Sequence, residues 1–227
     1  MNIEGLVTRI RTEFLDDAKG LHESQFLWKT PHIIAALSQA ERELCRKLFL
    51  LHDSTTTAIC NFTVAAVLDV FPRSFAIDDR ILRIERFKFP GITKPLERKT
   101  TAWLDQHDPG WDEAVGDPSF FTVDSGDYIV MLNRQPVTGG TAAMTVKRLP
   151  LTPLIEKATN DSPEVKQLDD EIIHGALKYL YIKPDLEGYD PNLSAKWGKQ
   201  FDADIDQIVL NRAAMNPQEY VCRPERF

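Results

Sequence analysis

Phe120-Phe121-Thr122-Val123, Tyr128-Ile129-Val130-Met131-Leu132 and Ala142-Ala143-Met144-Thr145-Val146-Lys147 are three runs rich in β-branched and aromatic residues. Asp124-Ser125-Gly126-Asp127 joins the first two, and the connection to the third contains Gly139-Gly140. Glycine in such connections admits the backbone angles that reverse a strand, so the runs read as three consecutive antiparallel strands. Upstream, Ile59 to Val67 and Ile81 to Phe89 are further strand candidates, separated by Phe71-Pro72. The stretch from about Ala58 to Pro150 is therefore expected to be β-rich, with five to six strands.

Helical periodicity flanks it on both sides. Ile3, Leu6, Val7, Ile10 and Phe14 recur at helical spacing and predict a first helix over residues 2–16. Asp16-Asp17-Ala18-Lys19-Gly20 breaks that pattern, and Thr30-Pro31 supplies a new start, with Thr30 as N-cap and Pro31 at the first helical position. The second helix runs to about Leu51, along the apolar row Ile33, Leu37, Ala40, Leu44, Leu48 and Leu51. At ~1.5 Å per residue it spans about 30 Å. Beyond Leu149-Pro150-Leu151-Thr152-Pro153, Val165, Leu168, Ile172, Ala176 and Leu180 form a third apolar row. Leu193, Trp197, Phe201, Ile205 and Ile208 form a fourth, after the break from Pro184 to Pro191.

The fold class this implies is α+β: a bundle of about four helices with an antiparallel β domain inserted between helices two and three. The expected divisions are an N-terminal helical part over 1–57, the inserted β domain over 58–152, C-terminal helices completing the bundle over 153–212, and an extended tail over 213–227. That tail has neither period and contains two prolines, yet it carries Tyr220, Val221 and Phe227 beside Arg223 and Arg226. It reads either as a frayed end or as an arm whose aromatic and arginine side chains anchor an interface.

With a formal charge of -7 among 227 residues, the chain is poorly suited to grip nucleic acid, because such binding depends on Lys and Arg displacing counterions from phosphates. The N-terminus lacks the basic and apolar regions of a secretory signal, and no apolar stretch approaches the ~18 to 20 residues that cross a bilayer. A soluble protein made in a cytoplasm, with no membrane partner, is expected. Cys45, Cys60 and Cys222 are odd in number and far apart, which argues against a disulfide framework or a zinc site.

Catalytic grammar is sparse. There is no Gly-rich phosphate loop, no Gly-x-Ser-x-Gly elbow and no His-Glu-x-x-His. None of the histidines at positions 22, 32, 52, 107 and 174 is followed at i+3 or i+4 by another candidate ligand on a shared helix face. Asp78-Asp79 and Asp169-Asp170-Glu171 could be imagined as the carboxylate pair of a sugar hydrolase; the second group sits at a helix start, where negative charge complements the helix dipole. Neither a catalytic residue, a cofactor nor a metal is expected. Trp111, after Pro109-Gly110, either folds back as the plug of its turn or anchors an interface.

Leu104-Asp105, Pro109-Gly110-Trp111 and Gly116-Asp117-Pro118, leading into the strand at Phe120, resemble the head-to-tail adaptor proteins of tailed bacteriophages, the tail tubular protein A-like, portal-associated connectors. Lys147-Arg148-Leu149-Pro150 is similar to the segment that ends their hairpin, and Ile172 to Tyr181 is similar to their return helix, with a further helix ending near Phe201. The resemblance implies a structural virion protein and not an enzyme. It implies a ring, typically of twelve copies, between the portal protein and a tail nozzle or hub protein. Genomic DNA would pass through that ring on ejection without being tightly bound. On this reading Tyr220, Val221, Arg223, Arg226, Phe227 and Trp111 are the candidate portal or subunit interface. The alternatives are a virion-associated glycan-binding or cell-wall-hydrolysing protein that displays Trp103 or Trp111, and a tail-tube or tail-completion protein.

Overall fold

Residues 1–15, 28–64, 72–124, 128–184 and 188–215 are described by a computed structural model. In chain order they form α1 (Ile3–Arg9), a π-helical segment (Ile10–Leu15), α2 (Thr30–Leu48), β1 (Leu51–Asp53), α3 (Thr57–Cys60), β2 (Asn61–Val64), β3 (Ser74–Ala76) and β4 (Ile81–Lys88). There follow β5 (Glu97–Arg98), α4 (Thr101–His107), β6 (Phe120–Asp124), β7 (Ile129–Leu132), β8 (Gly140–Arg148), a 3₁₀ turn (Leu154–Glu156), α5 (Asp169–Tyr181) and α6 (Pro191–Met215). The protein is mixed α and β, with six α-helices and two four-stranded sheets among the described residues. It divides into two compact units, residues 1–50 with 150–227 and residues 51–149.

In the helical unit, α2 buries Ile33, Leu37, Ala40, Leu44 and Leu48, the row expected from the sequence. It ends earlier than expected, because Phe49 adopts a left-handed conformation (φ 49°) and Leu51 pairs with Arg148 as the first residue of β1. The start also differs. Lys29 holds the cap position, Thr30 is already helical, and its hydroxyl accepts a hydrogen bond from the Arg11 guanidinium at 3.2 Å. The single helix expected over residues 2–16 is α1 followed by the π-helical segment, in which the Thr12 hydroxyl donates back to the carbonyls of Thr8 and Arg9. Such back-bonding competes with the regular ladder.

Ile172, Ala176 and Leu180 line the buried face of α5, but Val165 and Leu168 precede the helix. The Val165 and Glu164 N–H groups are taken by the Glu41 carboxylate at 3.1 and 2.7 Å, which holds this approach to α5 against α2. Gly175 permits the closest approach: a Cβ there would lie 2.8 Å from the Ala40 Cβ and 2.9 Å from the Phe201 ring. On α6, Phe201 and Ile205 are buried, whereas Trp197 is half-buried against Phe14 and stacked on His174.

Between α2, α5 and α6, Glu43 collects Lys178 at 2.9 Å, the Tyr179 hydroxyl at 2.5 Å and Lys47 at 2.9 Å, and Lys47 also reaches Asp202 at 2.8 Å. Burial pushes the Glu43 carboxyl up, but these donors outweigh it and hold the group down at about 2.

The β unit corrects two expectations. The three-strand meander does not form: β6 and β7 pair antiparallel as expected, but β8 leaves for the other sheet. The reason is that β7 has both edges occupied, by β3 on one side and β6 on the other, in the order β3-β7-β6-β5. In the second sheet Arg148 pairs with both Leu51 and Ile81, and Ala143 with both Asn61 and Lys88. Hence β4 runs along one edge of β8 while β1 and β2 share the other. Among the described residues eight strands replace the five or six expected, because β1, β3 and β5 are two or three residues long and show no alternation to read. Likewise Ile59 and Cys60 belong to the short helix α3, and the strand begins at Asn61.

Phe62 and Phe87 from the β8 sheet meet Phe75 and Phe121 from the other, with ring centroids 4.8 to 5.6 Å apart, and this cluster forms the unit's core. The Asp53 side chain accepts hydrogen bonds from the Thr55 and Thr56 N–H groups, the Thr56 hydroxyl at 2.7 Å and the Arg148 guanidinium at 2.6 Å. Burial alone would raise this carboxyl, but the Thr56, Thr55 and Arg148 donors together hold it far below the usual range. The neighbouring Cys60 thiol is pushed up to about 11 by burial and by the Asp53 charge, which leaves it unreactive at neutral pH.

Candidate functional site

The segment from Thr100 to Phe120 is built as one braced loop. Thr100 caps α4, its hydroxyl accepting from the Trp103 N–H at 3.2 Å. After α4, Gly110 takes a left-handed conformation (φ 78°), a turn that favours glycine. This folds Trp111 back until only 8% of it is exposed. Its indole N–H donates to Asp105 at 2.8 Å, and the Arg73 guanidinium lies 5.1 Å from its ring centroid. Arg73 also donates to the Asp112 carbonyl.

Asn133 is the residue that joins this loop to the sheet, and sequence reasoning missed it. It is 1% exposed; its side-chain oxygen accepts from the Ser119 and Phe120 N–H groups, and its amide donates to Asp108 at 3.0 Å. The available signal was a polar amide directly after the apolar run Ile129–Leu132, where a buried amide must find partners. Val115 bridges Gln135, and the Gly116 N–H donates to the Gln135 carbonyl at 2.9 Å. What the braced loop presents outward is Asp112, Glu113, Val115 and Asp117, with Val115 62% exposed.

Of the six interface candidates, Trp111 lies in this loop, whereas Tyr220, Val221, Arg223, Arg226 and Phe227 lie outside the described residues. Three of the carboxylates weighed for chemistry, Asp78, Asp169 and Asp170, are engaged in ion pairs. Asp78 is held low by its pairing with Arg80 at 2.6 Å. Asp169 binds the N-terminal ammonium at 2.9 Å, Asp170 pairs with Arg9, and burial pushes Glu171 up. Trp103, half-buried, stacks on His107 at 4.5 Å with the Lys99 ammonium 4.5 Å from its ring. His174 lies 2.7 Å from Asp204. Among the described residues no group of three or more His, Cys, Asp or Glu side chains is placed to hold a metal ion, and no helix is long and apolar enough to cross a membrane.

The arrangement is thus a rigid loop whose polar side chains brace backbone and leave an acidic, partly apolar edge. The model of the SU10 adaptor protein family matches the chain over residues 1–220. The chain belongs to this family. No curated protein matches it. The match spans the braced loop, both sheets and all six helices, so the adaptor family accounts for the whole described structure. A member of this family is a structural phage adaptor, a component of the virion.

Proposed function

We propose that this adaptor-family protein joins the portal vertex to the tail as a ring, typically of twelve copies, and forms part of the channel through which DNA is ejected. The family match over residues 1–220 carries this reading. Its net charge of -7 supports a wall that DNA passes without being held, since acidic side chains, 34 against 27 Lys and Arg, give the surface an excess of the charge that repels phosphates. A closed ring repeats one heterologous interface, so each subunit needs two different complementary surfaces.

In this reading the helical part is a bundle interrupted by the β part between its second and later helices, and builds the body of the ring. The β part meets neighbouring subunits or the tail nozzle or hub. Residues 213–227 dock on the portal through Tyr220, Val221, Arg223, Arg226 and Phe227, aromatic and arginine side chains of the kind that dominate interface energetics. Trp111 contributes by holding the loop edge rigid, which lowers the entropy lost on docking.

The test is co-sedimentation with portal rings from the same genome, followed by native mass spectrometry. A defined number of bound copies that matches the portal symmetry is expected; no association overturns the reading. A protein lacking residues 213–227 that still binds the portal fully overturns the assignment of the tail alone.

A further inference from the structure

In the same β unit as the acidic loop edge lies a recess of complementary character, lined from both sheets. A cavity of about 180 Å³ is lined by Ile77, Leu82, Val123 and Tyr128 and rimmed by Arg83 and Arg98. Both arginines are exposed and make no ion pair or side-chain hydrogen bond among the described residues. Arg98 and Val123 also line an adjoining cavity of about 550 Å³ with Lys99, so the cationic rim continues beyond the recess.

The placement of the two surfaces follows from strand direction. At the start of β6, Asn133 holds the Ser119 and Phe120 N–H groups and ties them to Asp108 of the loop. At its other end Val123 pairs with Val130, and the Ile77 N–H donates to the Tyr128 carbonyl at 2.8 Å. Phe120 and Asp124 are separated by roughly 14 Å at ~3.4 Å per residue. The start of β6 therefore lies beside exposed Glu113, Val115 and Asp117, whereas the apolar lining Val123 and Tyr128 stands at its other end, bordered by Arg83 of β4 in the other sheet and by Arg98, which reaches it from β5 beside Phe121.

We propose that these are the two halves of one contact: the Glu113–Val115–Asp117 edge of one subunit docks into the Arg83/Arg98 recess of a second copy of this chain. Val115 fills the hole, for which about 180 Å³ suffices, since cavities of about 150 Å³ accept a benzene-sized group. Glu113 and Asp117 flank Val115 and meet the two arginines, which sets the register by charge. A contact between two different surfaces of the same chain is head-to-tail, the kind that closes into a ring. This inference rests on the ring reading above and names the surfaces that would make it.

The experiment uses the full chain on portal rings, read by native mass spectrometry. One variant reverses the recess, Arg83→Glu with Arg98→Glu; the other reverses the edge, Glu113→Arg with Asp117→Arg. All four positions are exposed, so both variants should unfold at the wild-type temperature. Each alone is expected to lose the full complement of bound copies, and an equimolar mixture is expected to regain it, because an alternating ring restores opposite charges at every contact. Variants that fill the portal as wild type does overturn this inference and leave the ring reading intact. A mixture that fails to recover overturns the pairing of these two surfaces. Wild-type protein that does not assemble on the portal overturns the ring reading and this inference with it.

Discussion

The helical and β units each bury a carboxylate, and they accommodate it in opposite ways. In the β unit Asp53 is matched to the Arg148 guanidinium at 2.6 Å and to the Thr55 and Thr56 donors, which together hold it ionised far below the usual range. In the helical unit Glu41, fully buried, receives the Glu164 and Val165 N–H groups on one oxygen, the other oxygen has no hydrogen-bond partner among the described residues, and burial pushes its pKa up. A strand end and its following turn converge several donors on one short side chain. A helix face uses up its own donors in the ladder, so a buried acid there depends on whatever loop crosses it.

The largest expected effect breaks the β side of this contrast. Asp53→Ala leaves Arg148 buried without its carboxylate and uncaps the turn, at a cost of about 3 to 5 kcal/mol, read from the urea midpoint. Next, Gly175→Ala tests whether the helical unit depends on close backbone approach in place of ionic matching. The helix-propensity gain of about 1 kcal/mol is outweighed by overpacking of about 1 to 3 kcal/mol against Ala40 and Phe201, so Tm falls.

Tyr179→Phe removes one of the donors gathered on Glu43 and is expected to cost about 1.5 kcal/mol, with the Glu43 carboxyl rising from about 2 in a carboxylate NMR titration.

The two buried acids also predict opposite pH slopes. Because the folded pKa of Asp53 is depressed, its contribution is present above the unfolded value and is lost as pH falls below it. Because that of Glu41 is raised, stability is lost as pH rises from the unfolded value through the folded one. Glu41→Gln should therefore change stability at pH 7 by less than about 1 kcal/mol while removing that alkaline-going loss, checked by Tm against pH from 3 to 7. The smallest effect is Asp202→Ala: its pair with Lys47 is exposed, and a change within about 0.5 kcal/mol is expected in the same urea titration.

What was legible in the sequence follows physical range. The rows on α2, α5 and α6 and the β6–β7 pair depend on local spacing and neighbouring turn residues, and the structure reproduces them within a few residues. Helix α4 inside the β-rich stretch went unread, since its seven residues bury only Leu104 and so show no apolar stripe. The Thr30 cap was read correctly as a chemical type and wrongly in its role, because Arg11, nineteen positions away, engages that hydroxyl. In the candidate site, Trp111 was legible as a plug behind Pro109-Gly110, but Asn133 was not, because its three partners lie 13 to 25 residues upstream.

By itself, then, the sequence determined where helical and strand periodicities lie, that Gly110 turns the chain before Trp111, and the adaptor resemblance that residues 104–121 carry. Those properties need only neighbours within a few positions. Tertiary structure decided the partner of β8, which depends on which strand edges remain open, and the ion pair between Asp53 and Arg148, 95 positions apart. It also decided that Glu113, Val115 and Asp117 stand beside the start of β6 while Arg83 and Arg98 come from different sheets to rim one recess, because strand pairing, which no local pattern encodes, sets which side chains come together.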